Sequence, residues 1–334
     1  MNKVKTFLFS FALCGLSVTS VFAQTNNEGN IPLTAEKQKK IINSFADNLA
    51  KYYFFQDSVK MIVEKLNLAY ENGMFSNITN DSLFAVSITK LVRETVSDNH
   101  LGVRYEKGLQ MSSPNRMVPR PRDNNVPGNP EMASNRRSPI EFEILENNIG
   151  YLKITMFDEQ PMFFDEIDKV FENVKETKAL IVDLSNCRGG TPIGCNYVKS
   201  YLLQPNIRLT SYLWLIDGNV TETDSYSLDR LKSERYTEKP VFVLTGRTTF
   251  SAAENFCYDL QVLKRGIIVG VNTKGGANPG RAFPIGDSYS AFIPTGQSYN
   301  HITKTNWEGV GIIPDILTSE DEALSKAISL ANNK

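Results

Sequence analysis

From Ile140 onward, short apolar runs rich in β-branched residues alternate with segments of helical spacing, and this alternation most restricts the fold. Ile149 to Ile154, Ala179 to Asp183, Val241 to Leu244 and Ile267 to Gly270 read as strands. Phe163 to Val174, Ile193 to Leu203 and Ser251 to Arg265 read as the helices between them. The expectation is an α/β core over 140–334, a largely parallel or mixed sheet covered by helices. Tyr289 to Ile293 alternates in polarity and is expected to pair as a hairpin at the edge. In such sheets ligands sit in loops that follow the carboxyl ends of strands. Three loops qualify: Ser185 to Thr191, Gly246 to Ser251 and Thr273 to Gly280.

Ser251 falls where a buried strand turns into a helix, and two readings compete there. Ser251 with Glu254 fits a capping box, in which each side chain satisfies an amide of the other end of the first turn. Ser251 also fits a nucleophile, with the Ala252 amide and the positive helix end stabilising an oxyanion. A nucleophilic serine needs a base, and the chain has two histidines, His100 and His301. Gly189 and Gly190 would let backbone approach closely and present a further amide, although a tight turn explains one of them equally well. Lys274 to Gly280 lacks the spacing of a phosphate-binding loop.

The segment before the sheet is of a different kind. Residues 1–23 have the basic start, apolar run and small-residue end of a signal peptide, so the mature chain is expected to be exported, periplasmic or secreted. Lipid anchoring at Cys14 is disfavoured by Leu13 before it. Residues 24–105 read as a small helical subdomain, with Ile41, Ile42, Phe45 and Leu49, then Val59, Ile62, Val63 and Leu66, then Leu83, Val86, Ile88, Leu91 and Val92 at helical spacing. Residues 106–139 are polar and rich in proline and arginine, a composition that forms no core. The formal charge of −1 gives no reason to expect nucleic acid, and nothing after the leader is long and apolar enough to integrate in a membrane. Cys187, Cys195 and Cys257 match no zinc site and permit one internal disulfide, with the pairing of Cys187 and Cys195 open.

Four motifs in order then carry a resemblance: Asp98-Asn99-His100, the run Asp183 to Gly190, the run Thr248 to Glu254, and the run Asn306 to Asp315. This set resembles the tail-specific, or C-terminal-processing, serine peptidase family, in the branch of the tricorn core and the interphotoreceptor retinoid-binding protein modules. The resemblance implies a crotonase-like α/β core with a small N-terminal helical bundle. It implies Ser251 as nucleophile, His100 as general base and Glu308 as a carboxylate that orients or polarises the site. It implies oxyanion donors at Gly189 or Gly190 and at Ala252, with no cofactor and no metal. The substrate would be a peptide or unfolded protein. Three departures stand out. Glycine at 276 replaces the lysine of the family's serine–lysine branch, Ser185 stands where arginine is usual, and Asn99 stands where the tricorn core has serine. No stretch resembles a PDZ insert. A non-catalytic module for apolar ligands or peptides, and an esterase-type acyl hydrolase, remain the alternatives.

Overall fold

The computed structural model describes residues 33–108 and 138–333. The expected leader, and most of the segment 106–139, lie outside the described residues. Three helices come first: α1 (Ala35–Tyr52), α2 (Gln56–Glu71) and α3 (Asp81–Thr95). Thr34 and Asn80 cap α1 and α3 by accepting the amides of Lys37 and Leu83, which satisfies donors left orphaned in a first helical turn. Strand β1 (Gly102–Tyr105) follows, then β2 (Ile140–Leu145), β3 (Ile149–Ile154), α4 (Pro161–Val174), β4 (Ala179–Asp183) and α5 (Pro192–Leu202). Next come β5 (Ser211–Ile216), β6 (Asn219–Thr223), β7 (Val241–Thr245), α6 (Ala252–Val262) and β8 (Ile267–Gly270). The chain continues through β9 (Gly280–Gly286), β10 (Tyr289–Pro294), β11 (Gly296–Tyr299), β12 (Ile316–Leu317) and α7 (Ala323–Asn332).

The main sheet runs β12-β8-β7-β4-β3-β2, parallel except for the antiparallel edge pair β2 and β3. This is the mixed sheet expected from the alternation. Every residue of β4 and β7 is buried, as parallel strands covered on both faces must be. Pleating sends Leu180, Val182 and Val243 into the core beneath α4, α5 and α6. It sends Ala179, Ile181, Phe242 and Leu244 to the other face, against Ala323, Ala327 and Ala331 of α7.

Two smaller antiparallel sheets, β1-β10-β9 and β11-β5-β6, complete the described structure. The expected hairpin forms between β9 and β10, and only its place at the edge is corrected. Strand β10 pairs with β9 on one side and with β1 on the other, Gly102 opposite Phe292 and Tyr105 opposite Tyr289, so it is the central strand of a separate sheet. The physical reason is burial: Tyr289, Ala291 and Ile293 share one core with Phe45, Leu49, Phe84 and Ile88 of the helices. The helical segment therefore completes its core with strands from the far end of the chain. Among the described residues, no strand pairs with the outer edge of β1. Thr89 Oγ1 of α3 takes that place, accepting from Val103 N–H at 2.8 Å and donating to Val103 O at 3.0 Å.

Candidate active site

The parallel strands β4, β7 and β8 end on the same side of the sheet, so the loops after Asp183, Thr245 and Gly270 meet there. Hydrogen bonds from one loop to the next fix them. Thr248 Oγ1 donates to Ser185 O, Thr249 Oγ1 to Leu184 O, and Phe250 N–H to Cys187 O. Ser251 is the N-cap of α6 and has φ 58° and ψ −119°, a backbone conformation that L-residues rarely adopt and that costs about 1–3 kcal/mol. The turn carries one contact from each reading. Glu254 accepts the Ser251 N–H at 2.8 Å, while Ser251 Oγ lies 3.0 Å from His100 Nε2.

His100 reaches Ser251 from the turn between α3 and β1. Its ring packs against Phe250, tilted by 38° with centroids 4.5 Å apart, and stacks with Phe292 at 5.5 Å. Burial, with smaller contributions from Arg93 and Arg104, pushes its pKa down to about 4. The ring is therefore neutral near pH 7, and in the tautomer protonated at Nδ1 its Nε2 accepts. Nδ1 is buried without a hydrogen-bond partner. A carboxylate oxygen of Glu308 and one of Asp98 lie within 4.8 Å of a ring nitrogen and of each other, a spacing at which a cation would also fit.

Glu308 does not touch the imidazole directly. Its Oε1 accepts the N–H of Asn99 at 3.0 Å, and its Oε2 accepts those of Ala277 at 2.5 Å and Asn278 at 3.1 Å. Burial first, then the neighbouring Asp98 charge, raises its pKa to about 7. Glu254, wholly buried, grips the preceding amides of the same loop, Gly275 at 2.6 Å and Gly276 at 2.9 Å. Four consecutive amides, 275 to 278, are thus held by two acids. Asn99 fills the position of the tricorn serine differently, its side chain donating to Lys274 O and Gly275 O. The glycine at 276 also has a steric cause. A Cβ there would lie 2.1 Å from the Phe250 ring and 2.9 Å from His100 Cε1, so no lysine fits where the serine–lysine branch has one, and the Lys274 side chain is exposed.

Gly189 packs directly on Ser251. A Cβ on it would fall 2.8 Å from Ser251 Cβ and 3.0 Å from Ala252 N. Gly189 O accepts the Phe157 N–H at 2.8 Å, and because a trans peptide points its carbonyl and amide oppositely, Gly190 N–H is turned away from Phe157. Gly189 and Gly190 have φ 101° and 132°, the region that favours glycine. Neither Gly190 N–H nor Ala252 N–H donates to another group among the described residues.

The five other residues expected at the site therefore gather around Ser251, and His301 does not. It sits against Glu222 at 2.6 Å in a surface cluster with Arg208 and Asp224. Cys187, Cys195 and Cys257 are free and buried, which answers the open pairing, and burial raises the thiols of Cys187 and Cys195 to about 12. Sequence reasoning missed Asp98, Phe250 and Phe292 as neighbours of the imidazole. Only Asp98, two residues before His100, carried a signal, since aspartate often binds amides just ahead of it.

The model of peptidase family S41 matches residues 148–318, and that of the N-terminal domain of Peptidase S41 in eukaryotic IRBP matches residues 26–143. The chain belongs to peptidase family S41. The enzyme class expected from the four motifs, a serine peptidase, is the class of that family. A carboxy-terminal-processing protease of Bartonella bacilliformis is 25% identical over 188 residues, 53% of this chain. The chain spans 40% of the length of that curated relative. A candidate peptidase from Parabacteroides merdae shares the S41 fold with TM-score 0.61 and 19% identity, covering 88% of this chain and 96% of its own. A lipoprotein from Streptococcus agalactiae gives TM-score 0.58 at 17% identity over 92% of this chain and 99% of its own. The photosystem II D1 C-terminal processing protease gives 0.52 at 13% identity over 89% and 96%. No described helix is long and apolar enough to cross a membrane.

Proposed function

We propose that this S41 chain is an exported serine endopeptidase that cleaves peptides or unfolded protein segments through an acyl-enzyme on Ser251. The observation that carries the reading is the 3.0 Å contact between His100 Nε2 and Ser251 Oγ. His100 Nε2 takes the hydroxyl proton as Oγ attacks a peptide carbonyl, and the imidazolium then protonates the leaving amine. Water, activated by the same nitrogen, hydrolyses the ester. The amides of Gly190 and Ala252 face the oxygen that becomes charged, helped by the N-terminus of α6, while Gly189 leaves the space an oxyanion needs.

Glu308 stabilises the imidazolium. Its Oε1 accepts one amide, that of Asn99, and so keeps a lone-pair direction for the Nδ1 proton of His100. The crotonase-like description of the core rests on the order of the four motifs. Export to the periplasm or out of the cell rests on the composition of residues 1–23. Labelling the purified protein with a fluorophosphonate probe tests the reading. Label on Ser251 that is lost in Ser251→Ala and His100→Ala is the expected result, and a well-folded wild type that takes no label overturns it in favour of a binding module. Turnover of a quenched peptide library against that of aryl esters then separates a peptidase from an esterase.

A further inference from the structure

We propose that Asp98 is a positioning residue for His100, fixing the backbone of the turn that carries the imidazole and tying it to Tyr53 of the helical segment and to Asn278 of the acid-gripped loop. The proposal rests on the serine acyl-transfer reading for its kinetic consequences. The geometry stands apart from it.

Asp98 is 2% exposed. Its Oδ1 accepts the amide of His100 at 3.1 Å and that of Leu101 at 3.3 Å. Its Oδ2 accepts the Tyr53 hydroxyl at 3.1 Å and Asn278 Nδ2 at 3.2 Å. Both oxygens are filled, whereas Glu308 Oε1 has one donor. The two neighbouring acids therefore divide the task, Glu308 keeping an acceptor for the ring and Asp98 committing all of its acceptors to the frame.

The rest of the turn is held from the opposite side. Arg93 Nε donates to Leu101 O at 2.9 Å, and Thr89 holds Val103. Asp98 supplies the only hydrogen bond to the His100 amide among the described residues, so the path from Ser97 to the ring is set by this carboxylate, by the bonds that Asn99 makes to Glu308, Lys274 and Gly275, and by the packed rings of Phe250 and Phe292. An ordinary capping turn needs only the two amide contacts and works at the surface with neutral asparagine. Here a charged group is buried beside another carboxyl, an arrangement that opposes folding and is compensated only by complete hydrogen bonding. The charged groups facing the imidazole are Glu308 and Asp98 on the loop side and Arg93 and Arg104 from α3 and β1. Loss of the Asp98 charge thus leaves two cations and one titrating acid.

The test uses Asp98→Asn, which keeps shape and one oxygen but presents an amide to the Tyr53 hydroxyl and to Asn278 Nδ2. Because the chain has two histidines, His301→Gln as background leaves one imidazole for nitrogen-15 NMR. Wild type is expected to show a single tautomer protonated at Nδ1. Asp98→Asn is expected to show mixed tautomers and a fluorophosphonate kinact at least about tenfold lower, with KI within about twofold. Tyr53→Phe removes one contact and is expected to shift both readouts less, in the same direction. If Asp98→Asn does not fold, Tyr53→Phe and Asn278→Ala carry the test. Wild-type kinact and wild-type imidazole signals in folded variants, with only the melting temperature lowered, would overturn the proposal. Absence of labelling in wild type would sink the acyl-transfer reading instead, and the imidazole signals alone would then decide the positioning role.

Discussion

Replacing Glu308 with glutamine should change the pH dependence of the site more than its shape. Glu308 has a pKa of about 7, against 4.5 for an ordinary carboxyl, and His100 one of about 4. His100 is then neutral across the working range, and the group that titrates near neutrality is the acid behind it. Only the ionised acid can accept the Nδ1 proton of an imidazolium, and a hydrogen bond to a charged group contributes about 1.5–3 kcal/mol, or about 10- to 150-fold in rate. The wild-type labelling rate should therefore rise through pH 7 to a plateau near pH 8. Glu308→Gln should be about 10- to 150-fold slower at pH 8, with a rate that is flat down to about pH 5. Stability supplies an independent reading. A carboxyl whose folded pKa is raised favours folding fully below its unfolded value, and that contribution is lost as pH rises through the folded value. At about 1.4 kcal/mol per pH unit, the wild type should lose about 3 kcal/mol relative to Glu308→Gln between pH 4.5 and pH 7.5, read by urea unfolding. A wild-type rate independent of pH from 5.5 to 8.5, or the same acid limb retained in Glu308→Gln, would refute the reasoning.

Two further outcomes follow from the nucleophile helix. With φ 58° and ψ −119° at position 251, Ser251→Gly should be more stable than Ser251→Ala by about 1 kcal/mol, since both lack Oγ and only glycine accepts the conformation without strain. Thermal denaturation of the pair decides it, and a more stable alanine variant removes strain from the account. Lys199 and Asp259 form a fully buried ion pair at 2.6 Å, with Lys199 also donating to Asn255 of α6. Lys199→Met should cost about 3–5 kcal/mol by leaving Asp259 buried without its cation, and a loss below about 1 kcal/mol in denaturant unfolding would contradict that.

The main sheet was legible because its signal is local. Fully buried strands such as Val241 to Leu244 read as continuous apolar runs, and a helix lies in each connection that leads from β3 to β4, β7 and β8. The Ser251 turn was legible because strand, glycine and helix start fall within a few residues, and His100 because few histidines compete. The pairing of β1 with β10 was not legible, since four residues containing a glycine and an exposed arginine carry little strand signal, and their partners lie almost two hundred positions away. Glu308 could be named, but its three amide contacts could not, because backbone donors leave no trace in side-chain identity. Asp98 differs in part, since its place two residues before His100 hinted at the amide contacts, while its bonds to Tyr53 and Asn278 could not be read. Gly276 was visible only as a departure, and its cause, the nearness of Phe250 and His100, exists only once three distant segments meet.

The sheet that joins β1 to β10 has a consequence for the order in which the protein is made. A ribosome that has delivered Gly270 has already synthesised both Ser251 and His100, but none of the strands that complete the core around the first helices. The frame for His100 closes only after Asn278, Phe292 and Glu308 have emerged. An unfinished or truncated chain therefore carries Ser251 and His100 without the frame that brings their side chains together.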